Sequence, residues 1–253
     1  MIAYPHLWPV DFHVHTSFSK DCPLAPLRVI ELARKAGLRG IAVTDHDTEE
    51  GGLAARELNP YDDFLVIPGA EIKTDKGDLI GLYLKHAIRS RRFESVLEEI
   101  AGQGGISYVP HPLRTFKSGF EQVHRDYPGV DAWEVLNGRY GKRDIETSTR
   151  LFQSMGIHNF LSGSDAHVPW DHGTVYTLLQ EKPDSPAVLR RLLAAGTVGV
   201  RNERNEMGLA AGILLATLTR YGKERRYGKA ARQLLAVPAR ILRYAVRGSR
   251  RAL

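Results

Sequence analysis

The sequence offers almost no sulfur chemistry. Its 253 residues include a single cysteine, Cys22, so an intramolecular disulfide is excluded and a metal cluster held by several thiolates is not expected. Any metal site must therefore be built from histidine, aspartate and glutamate, whose nitrogen and oxygen atoms are harder ligands than thiolate sulfur.

Long hydrophobic runs are missing as well. The longest apolar stretch, residues 208–218, has eleven residues, whereas a helix needs about 20 to cross a bilayer. The first residues have neither the positive charge nor the apolar segment of a secretory signal peptide. These absences favour a cytoplasmic protein, and the 43% hydrophobic content is enough for a full buried core.

Acidic residues are scarce only near the C-terminus. Residues 201–253 contain 13 Lys or Arg against 3 Asp or Glu, while residues 1–200 contain 22 against 26. We therefore predict two parts, a domain over residues 1–207 and a basic helical C-terminal extension over residues 208–253. The extension could pack on the domain with a basic face toward solvent, contact the phosphates of a nucleic acid, or lie on an anionic membrane surface.

Seven short apolar segments alternate with segments that have helical features. The predicted strands are residues 10–14, 40–44, 64–67, 79–84, 106–109, 132–136 and 160–162. The second of them is β-branched and apolar without polar alternation, as expected for a parallel strand covered on both faces. Helices are predicted to begin at Pro26 and to span residues 93–101 and about 143–155. This alternation is typical of an α/β barrel.

Six of the seven segments end at or near a side chain that can bind a metal or a substrate, and only segment 79–84 does not. These side chains are His13, His15, Asp45, His46, Glu71, His111, Asn137, Asp165 and His167. His13 and His15 point to the same face of their strand because side chains alternate along a strand. In α/β barrels the loops after the carboxyl ends of the strands form the active site. The pattern therefore predicts one site assembled from distant segments.

The ordered set of motifs resembles the PHP family, the polymerase and histidinol phosphatase superfamily. The motifs are His13-x-His15, Asp21, Thr44-Asp45-His46-Asp47, Gly69-Ala70-Glu71, His111-Pro112 and Gly163-Ser164-Asp165-Ala166-His167. The resemblance covers about residues 10–170. It implies a distorted seven-stranded (β/α)7 barrel and metal-dependent phosphoesterase activity with two to three divalent ions.

The resemblance also implies which residues hold each ion. The first ion would be bound by His13, His15, Glu71 and Asp165. The second would share Glu71 and add His111, and the third would be bound by Asp21, His46 and His167. Manganese, zinc and iron all accept such ligands. Asp165, His46 or His167 could transfer the proton in catalysis, and the sequence leaves that choice open.

The sequence leaves open which residue, if any, is a further ligand to the second ion. The family commonly has another ligand between the Glu and His-Pro motifs, where Asp78 and His86 are the candidates. Asp78 precedes segment 79–84, which is the wrong end of a barrel strand for a ligand. His86 follows that segment, but its neighbour Lys85 suits a solvated surface. Either of them, or neither, could bind the ion.

Substrate contacts are predicted from two arginines and an asparagine near strand ends. Arg114 follows the His-Pro motif and Arg139 follows Asn137-Gly138. A guanidinium group can hold a phosphate with two parallel hydrogen bonds. The alternative for each arginine is a surface ion pair. Asn137 could orient a water or a substrate oxygen, or it could cap a turn.

The predicted function is hydrolysis of a phosphate mono- or diester by a metal-bound hydroxide. The substrate would be a phosphorylated small molecule, a nucleotide or a nucleic-acid end. An amidohydrolase-type metal hydrolase is an alternative, although such barrels typically have a carboxylated lysine where Glu71 stands. A third hypothesis is a catalytically silent module that binds nucleic acid through its basic extension, against which the nearly complete ligand set argues.

Overall fold

A computed structural model describes residues 6–115, 124, 129–201 and 206–229, with the backbone alone for residues 206–210. The described residues form nine strands and seven α-helices. In chain order these are β1 (Trp8–Val14), α1 (Pro26–Lys35), β2 (Gly40–His46), α2 (Glu50–Leu58), β3 (Leu65–Thr74), β4 (Gly77–Leu82), α3 (Phe93–Gly102), β5 (Ile106–Val109), α4 (Pro112–Thr115), β6 (Ala132–Asn137), α5 (Lys142–Ser154), β7 (Phe160–Gly163), β8 (Val175–Leu179), α6 (Pro186–Ala195), β9 (Val198–Arg201) and α7 (Glu206–Lys223). A 3-10 turn, Pro169–Asp171, follows β7.

The nine strands belong to one mixed sheet in the order β7-β6-β5-β4-β3-β2-β1-β8-β9. Strands β1 to β3 are parallel, and so are β5 to β7. The sheet curls until β7 meets β1, where Val14 and Ala166 form a parallel bridge and the His15 N–H donates to the Ala166 carbonyl at 3.0 Å. The result is a nearly closed barrel in which the loops after β1, β2, β3, β5, β6 and β7 lie close together.

All seven predicted strands are present, but the prediction of a seven-stranded barrel was wrong in two respects. Strand β4 is antiparallel to both of its neighbours. Only residues 75 and 76 separate β3 from β4, and a parallel connection needs a crossover of a dozen or more residues. In addition, β8 and β9 extend the edge beside β1 as antiparallel strands.

The barrel interior is apolar. One buried cluster has members from β1 to β8, including Phe12, Ile80 and Leu161, and it is completed by Leu189 and Leu192 of α6. Two further clusters join the sheet to the outer helices, one under α1 and one under α3 and α5. This packing surrounds the strands with rigid layers, so the polar side chains at the strand ends are held in place from below.

Helix α7 begins at residue 206, just before the predicted boundary between residues 207 and 208. Most of the predicted basic extension, residues 230–253, lies outside the described residues. Its contact with nucleic acid or an anionic membrane stays a prediction. Within the described parts of the chain, every helix is too short or too polar to span a lipid bilayer.

Candidate metal centre

Four donor atoms from three separate segments converge on one point at the end of β1. The Nε2 atoms of His13 and His15 lie 3.1 Å apart. Glu71 Oε2 lies 3.4 and 3.6 Å from these two nitrogens, and Asp165 Oδ1 lies 3.8 and 3.5 Å from them. These are the residues that the sequence predicts for the first ion.

The spacing of these four atoms fits a divalent ion. A regular tetrahedron with edges of about 3.4 Å has its centre about 2.1 Å from each vertex, which is the usual length of a Zn–N or Zn–O bond. Five of the six separations among the four atoms, all those that involve His13 or His15, scatter around that edge length. The donor set is therefore compatible with a four-coordinate metal site.

Hydrogen bonds to the Nδ1 atoms of two histidines direct their Nε2 atoms toward the site. His13 Nδ1 faces the carboxylate of Glu134 at 3.3 Å, and His167 Nδ1 faces the Asp165 carbonyl at 2.9 Å. Because both partners accept hydrogen bonds, each Nδ1 carries a hydrogen, which leaves Nε2 as the nitrogen that can bind a metal. Metal-binding histidines are oriented in this way in other proteins.

A second ligand group shares Glu71. Its Oε1 atom lies 3.0 Å from His111 Nε2, and Asp78 completes a group whose donor atoms all lie within 4.8 Å of one another. The objection that Asp78 lies at the wrong strand end was wrong. Because β4 runs antiparallel, its first residues lie at the carboxyl end of β3, where Asp78 pairs with Lys73.

His86, the other candidate for the second ion, lies away from this group. It is exposed, and its backbone N–H donates to the side chain of Gln103 in the loop after α3.

The third predicted ligand set is also assembled. Asp21 lies between two imidazoles, with Oδ2 3.4 Å from His46 Nε2 and Oδ1 3.3 Å from His167 Nε2. His46 and His167 in turn flank His15, with ring centroids 4.6 and 4.2 Å from its ring. Glu71 Oε2 also lies 3.0 Å from His46 Nδ1, so the third set is contiguous with the first.

The electrostatics of the cluster favour a cation. Burial would raise the pKa of Glu71, but His46 and His13 hold it well below its usual value. The pKa of Asp165 is also held well below its usual value despite burial, mainly by His13 and His15. Conversely, the pKa of His15 is lowered to about 3 by burial and by its neighbours His167 and His46. The carboxylates thus stay ionised beside a neutral His15, as metal binding requires. Against the effect of burial, the same carboxylates raise the pKa of His13, His46 and His111, so a bound cation would take the place of the protons on these imidazoles.

The sequence analysis missed a carboxylate beneath the site. Glu134 of β6 is fully buried, and besides His13 it accepts hydrogen bonds from the Tyr108 hydroxyl at 2.8 Å and the His111 N–H at 2.6 Å. It therefore orients residues of two ligand groups at once. The only signal in the sequence was an acidic residue inside an apolar strand.

Asn137 also lies beneath the site rather than in it. Its side chain is fully buried, its amide donates to Glu134 Oε2 at 2.8 Å, and its Oδ1 accepts from the Arg139 N–H at 2.8 Å. A fully buried amide cannot touch a substrate in this conformation. The prediction that Asn137 binds substrate is therefore not supported, and its role is to hold Glu134 and the turn before Arg139.

A second buried network holds His15. The Ser19 hydroxyl donates to Asp45 Oδ1 at 2.6 Å and lies 3.1 Å from His15 Nδ1. Asp45 also accepts from the backbone and the hydroxyl of Thr16, at 2.7 and 2.6 Å. Asp45 thus acts on the imidazole through Ser19, and it ties the loop after β1 to the end of β2.

Backbone conformation at the site is strained at two ligands. His111 has φ = 32° and Asp165 has φ = 53°, in a region that non-glycine residues rarely adopt. Beside Asp165, the backbone of β7 passes so close to β1 that a Cβ atom at Gly163 would lie 2.4 Å from the Cβ atom of His13. The glycine therefore permits the close approach that brings Asp165 to His13.

The ligand groups face a pocket of about 710 Å³. Six predicted ligands line it directly, namely Asp21, His46, Glu71, His111, Asp165 and His167, and Asp78 joins them. His13 and His15 are fully buried behind them. A pocket of this volume accommodates a ligand of nucleotide size.

Among the described residues, five cationic side chains line the same pocket. They are Lys73, Arg114, Arg139, Arg220 and Arg226. Arg114 is exposed. Arg139 is nearly buried, and its Nε donates to the Asp165 carbonyl at 3.1 Å. Arg220 and Arg226 come from α7 and the turn after it and were not predicted as site residues.

Comparisons with known proteins agree with this geometry. Residues 146–198 match the PHP-associated family. The chain is 41% identical over 230 residues to the uncharacterized protein MJ1295 of Methanocaldococcus jannaschii, an alignment that covers 85% of this chain and 96% of the relative.

Two solved structures share the fold. A two-domain protein of Bacteroides vulgatus that contains a predicted PHP-like metal-dependent phosphoesterase aligns with a TM-score of 0.63 and 19% identity, over 86% of this chain and 70% of that one. An amidohydrolase of Chromobacterium violaceum with bound sulfate and no metal aligns with a TM-score of 0.56 and 18% identity, over 76% and 97%. With its motifs assembled in one site, the chain belongs to the PHP superfamily.

Proposed function

We propose that the protein is a metal-dependent phosphoesterase that hydrolyses a phosphate mono- or diester of a small molecule, a nucleotide or a nucleic-acid end. The observation that carries the proposal is the charge pattern of the pocket, in which carboxylates and imidazoles at the bottom are surrounded by arginines at the sides. Metal ligands alone would suit many hydrolases. The added arginines fit an anionic substrate, because guanidinium groups bind phosphate oxygens with paired hydrogen bonds.

Each part of the pocket has a role in this proposal. The three ligand sets would hold divalent ions, which when bound would supply charge neutralisation and lower the pKa of coordinated water. Arg114 binds the anionic substrate. Arg220 and Arg226, which share Glu224 as an ion-pair partner at 3.2 and 3.0 Å, add positive charge to the pocket. Arg139 holds the loop of Asp165 through hydrogen bonding and lies near Asp171. It also lines the pocket, where its positive charge would attract the phosphoryl group.

Three residues are candidates for proton transfer, namely Asp165, His46 and His167. His167 can act in this way only where its Nε2 is free of the third ion, because its Nδ1 is fixed by the Asp165 carbonyl at 2.9 Å and its Nε2 faces Asp21 at 3.3 Å. His46 is the most exposed of the three, with 39% of its side chain accessible, so it can reach a leaving group at the pocket mouth.

The test is an assay of metal-stripped protein on aryl phosphate monoesters, diesters and an aryl amide, with Mn, Zn or Fe added back. We expect metal-dependent hydrolysis of a phosphate ester that is lost in His13→Ala and Asp165→Ala. Arg114→Gln should raise KM about tenfold or more, because a charge-assisted hydrogen bond contributes roughly 1.5–3 kcal/mol. Arg143→Gln, at an exposed position of α5, is the matched control.

The amide substrate separates the two enzyme hypotheses. Turnover of the amide without turnover of any phosphate ester would favour an amidohydrolase, the class of one protein that shares this fold. Absence of turnover in protein that binds metal would count against both enzymes and support a silent binding module.

A further inference from the structure

Lys223, the last residue of α7, forms hydrogen bonds with the loop that contains Asp21. The ammonium group of Lys223 donates to the carbonyl oxygens of Ser17, Ser19 and Cys22 at 2.9, 2.7 and 2.8 Å. An ammonium group has three N–H donors, so these contacts use all of them. Three carbonyls of one irregular loop therefore converge on a single cation from the other end of the chain.

The carbonyls that bind Lys223 bracket Asp21. Two of them belong to Ser19 and Cys22, the second residue before and the first residue after Asp21. The direction of the Asp21 side chain depends on the backbone of this short segment. In the observed conformation its carboxylate lies 3.4 Å from His46 Nε2 and 3.3 Å from His167 Nε2.

We infer that Lys223 is a positioning residue, whose ammonium group holds residues 17–22 in the conformation that brings Asp21 to His46 and His167. The inference rests on the proposed function, in which these three residues bind the third divalent ion. Lys223 is not among the residues that line the pocket, so its effect on the site would be transmitted through the loop.

Helix α7 is thereby part of the active site in two ways. Its side chains Ile213, Thr217 and Arg220 line the pocket, and its last residue fixes a ligand loop. Three short hydrogen bonds from one cation are more than a solvated surface lysine makes, since a free ammonium group would leave its donors to water. Loss of Lys223 would remove the protein group that links these three carbonyls and leave them to water.

The test compares Lys223→Met with wild-type protein in two measurements. Titration of metal-stripped protein with Zn should show that the weakest of the bound equivalents is held about 10- to 100-fold more weakly, the usual effect of losing a group that supports a metal ligand. Hydrogen exchange of the metal-free proteins should be faster in residues 17–24 of the variant. In the activity assay kcat should fall while KM stays within about twofold.

Arg225→Met is the matched control, because it removes an exposed positive charge two residues further along without touching the carbonyls. It should bind metal and exchange hydrogen like the wild type.

A chemical rescue separates the ammonium group from the fold of α7. Lys223→Cys should behave like Lys223→Met, and alkylation of the new, exposed thiol with bromoethylamine restores an ammonium group at nearly the original distance. Cys22 should stay unmodified, because it is buried and burial raises the pKa of its thiol to about 12. Mass spectrometry counts the added groups. We expect one group and recovery of the weakest metal equivalent.

The possible failures are distinguishable. Unchanged metal affinity and unchanged exchange in Lys223→Met, or alkylation without recovery, would overturn the role of Lys223 alone. Wild-type protein that binds no divalent metal would overturn the proposed function, and with it the third ion on which this inference depends.

Discussion

At the scale of single residues, buried acceptors decide how the histidines of this site are used. Glu134, the Asp165 carbonyl and the Ser19 hydroxyl each engage the Nδ1 side of one imidazole, those of His13, His167 and His15. This leaves three Nε2 atoms directed at the ligand centre. The orientation of the histidines thus depends on Glu134 and Ser19, which are outside the ligand sets, and on the backbone carbonyl of the ligand Asp165.

A buried histidine outside the ligand sets makes stability depend on pH. His172 follows the 3-10 turn after β7, and neither of its ring nitrogens has a hydrogen-bond partner among the described residues. Burial, with the charges of Arg28 and His167, lowers its pKa to about 3. Below pH 6.5 the unfolded chain binds a proton at this residue and the folded chain does not, so stability is lost as the pH falls from 6.5 toward 3.

We predict that His172→Leu removes this loss. Between pH 7 and pH 5 the free energy of unfolding of the wild type should fall by about 2 kcal/mol more than that of the variant. Urea unfolding at both pH values measures the difference, and His158→Leu at an exposed position controls for the loss of one histidine. Parallel pH curves for wild type and His172→Leu would contradict the prediction.

At the scale of secondary-structure elements, two close contacts between strands create the site. The hairpin between β3 and β4 brings Asp78 to the ligand end, and the approach of β7 to β1 brings Asp165 to His13. The contact between β7 and β1 has no room for a side chain at Gly163, where a Cβ atom would lie 2.7 Å from the backbone nitrogen of His13. The position of this glycine is therefore a packing requirement.

Gly163→Ala should separate the two strands. We expect a loss of about 3 kcal/mol of stability, typical of overpacking against backbone, together with weaker metal binding because His13 and Asp165 move apart. Gly102→Ala is the control, since nothing lies within 4 Å of the added methyl group at the end of α3, and it should be neutral or slightly stabilising. Thermal unfolding and metal titration of both variants measure the effect, and equal behaviour would refute it.

At the scale of the whole molecule, the closed arrangement concentrates negative charge at one end of the barrel. Four carboxylates, those of Asp21, Glu71, Asp78 and Asp165, line the same pocket. In the unfolded chain they are far apart and solvated, so a divalent cation binds the folded state in preference. Metal binding and folding stability are therefore coupled.

Removal of metal should lower the melting temperature. At a free metal concentration about 1,000 times Kd, binding adds about 4 kcal/mol to the free energy of unfolding, equivalent to roughly 8–16 °C for a chain of this size. Thermal scans with chelator and with added Zn or Mn measure the shift, and Asp165→Ala should show a smaller one. A melting temperature that is independent of metal would argue against the site.

Local sequence determined the positions of the first seven strands and of the helices that begin near Pro26, Phe93 and Lys142. It also identified the candidate ligands that line one pocket or lie beneath it. These features depend on hydrophobic periodicity, capping residues and side-chain chemistry, all of which act over a few neighbouring positions. The sequence alone therefore indicated which side chains directly follow a predicted strand.

Tertiary structure alone decided the direction of β4, the addition of β8 and β9, the burial of Glu134 and Asn137, and the contact of Lys223 with the loop of Asp21. Each of these depends on hydrogen bonds or packing between segments far apart in sequence. Lys223 and Cys22, for example, are 201 positions apart, and no local pattern encodes that these two segments meet beside one pocket.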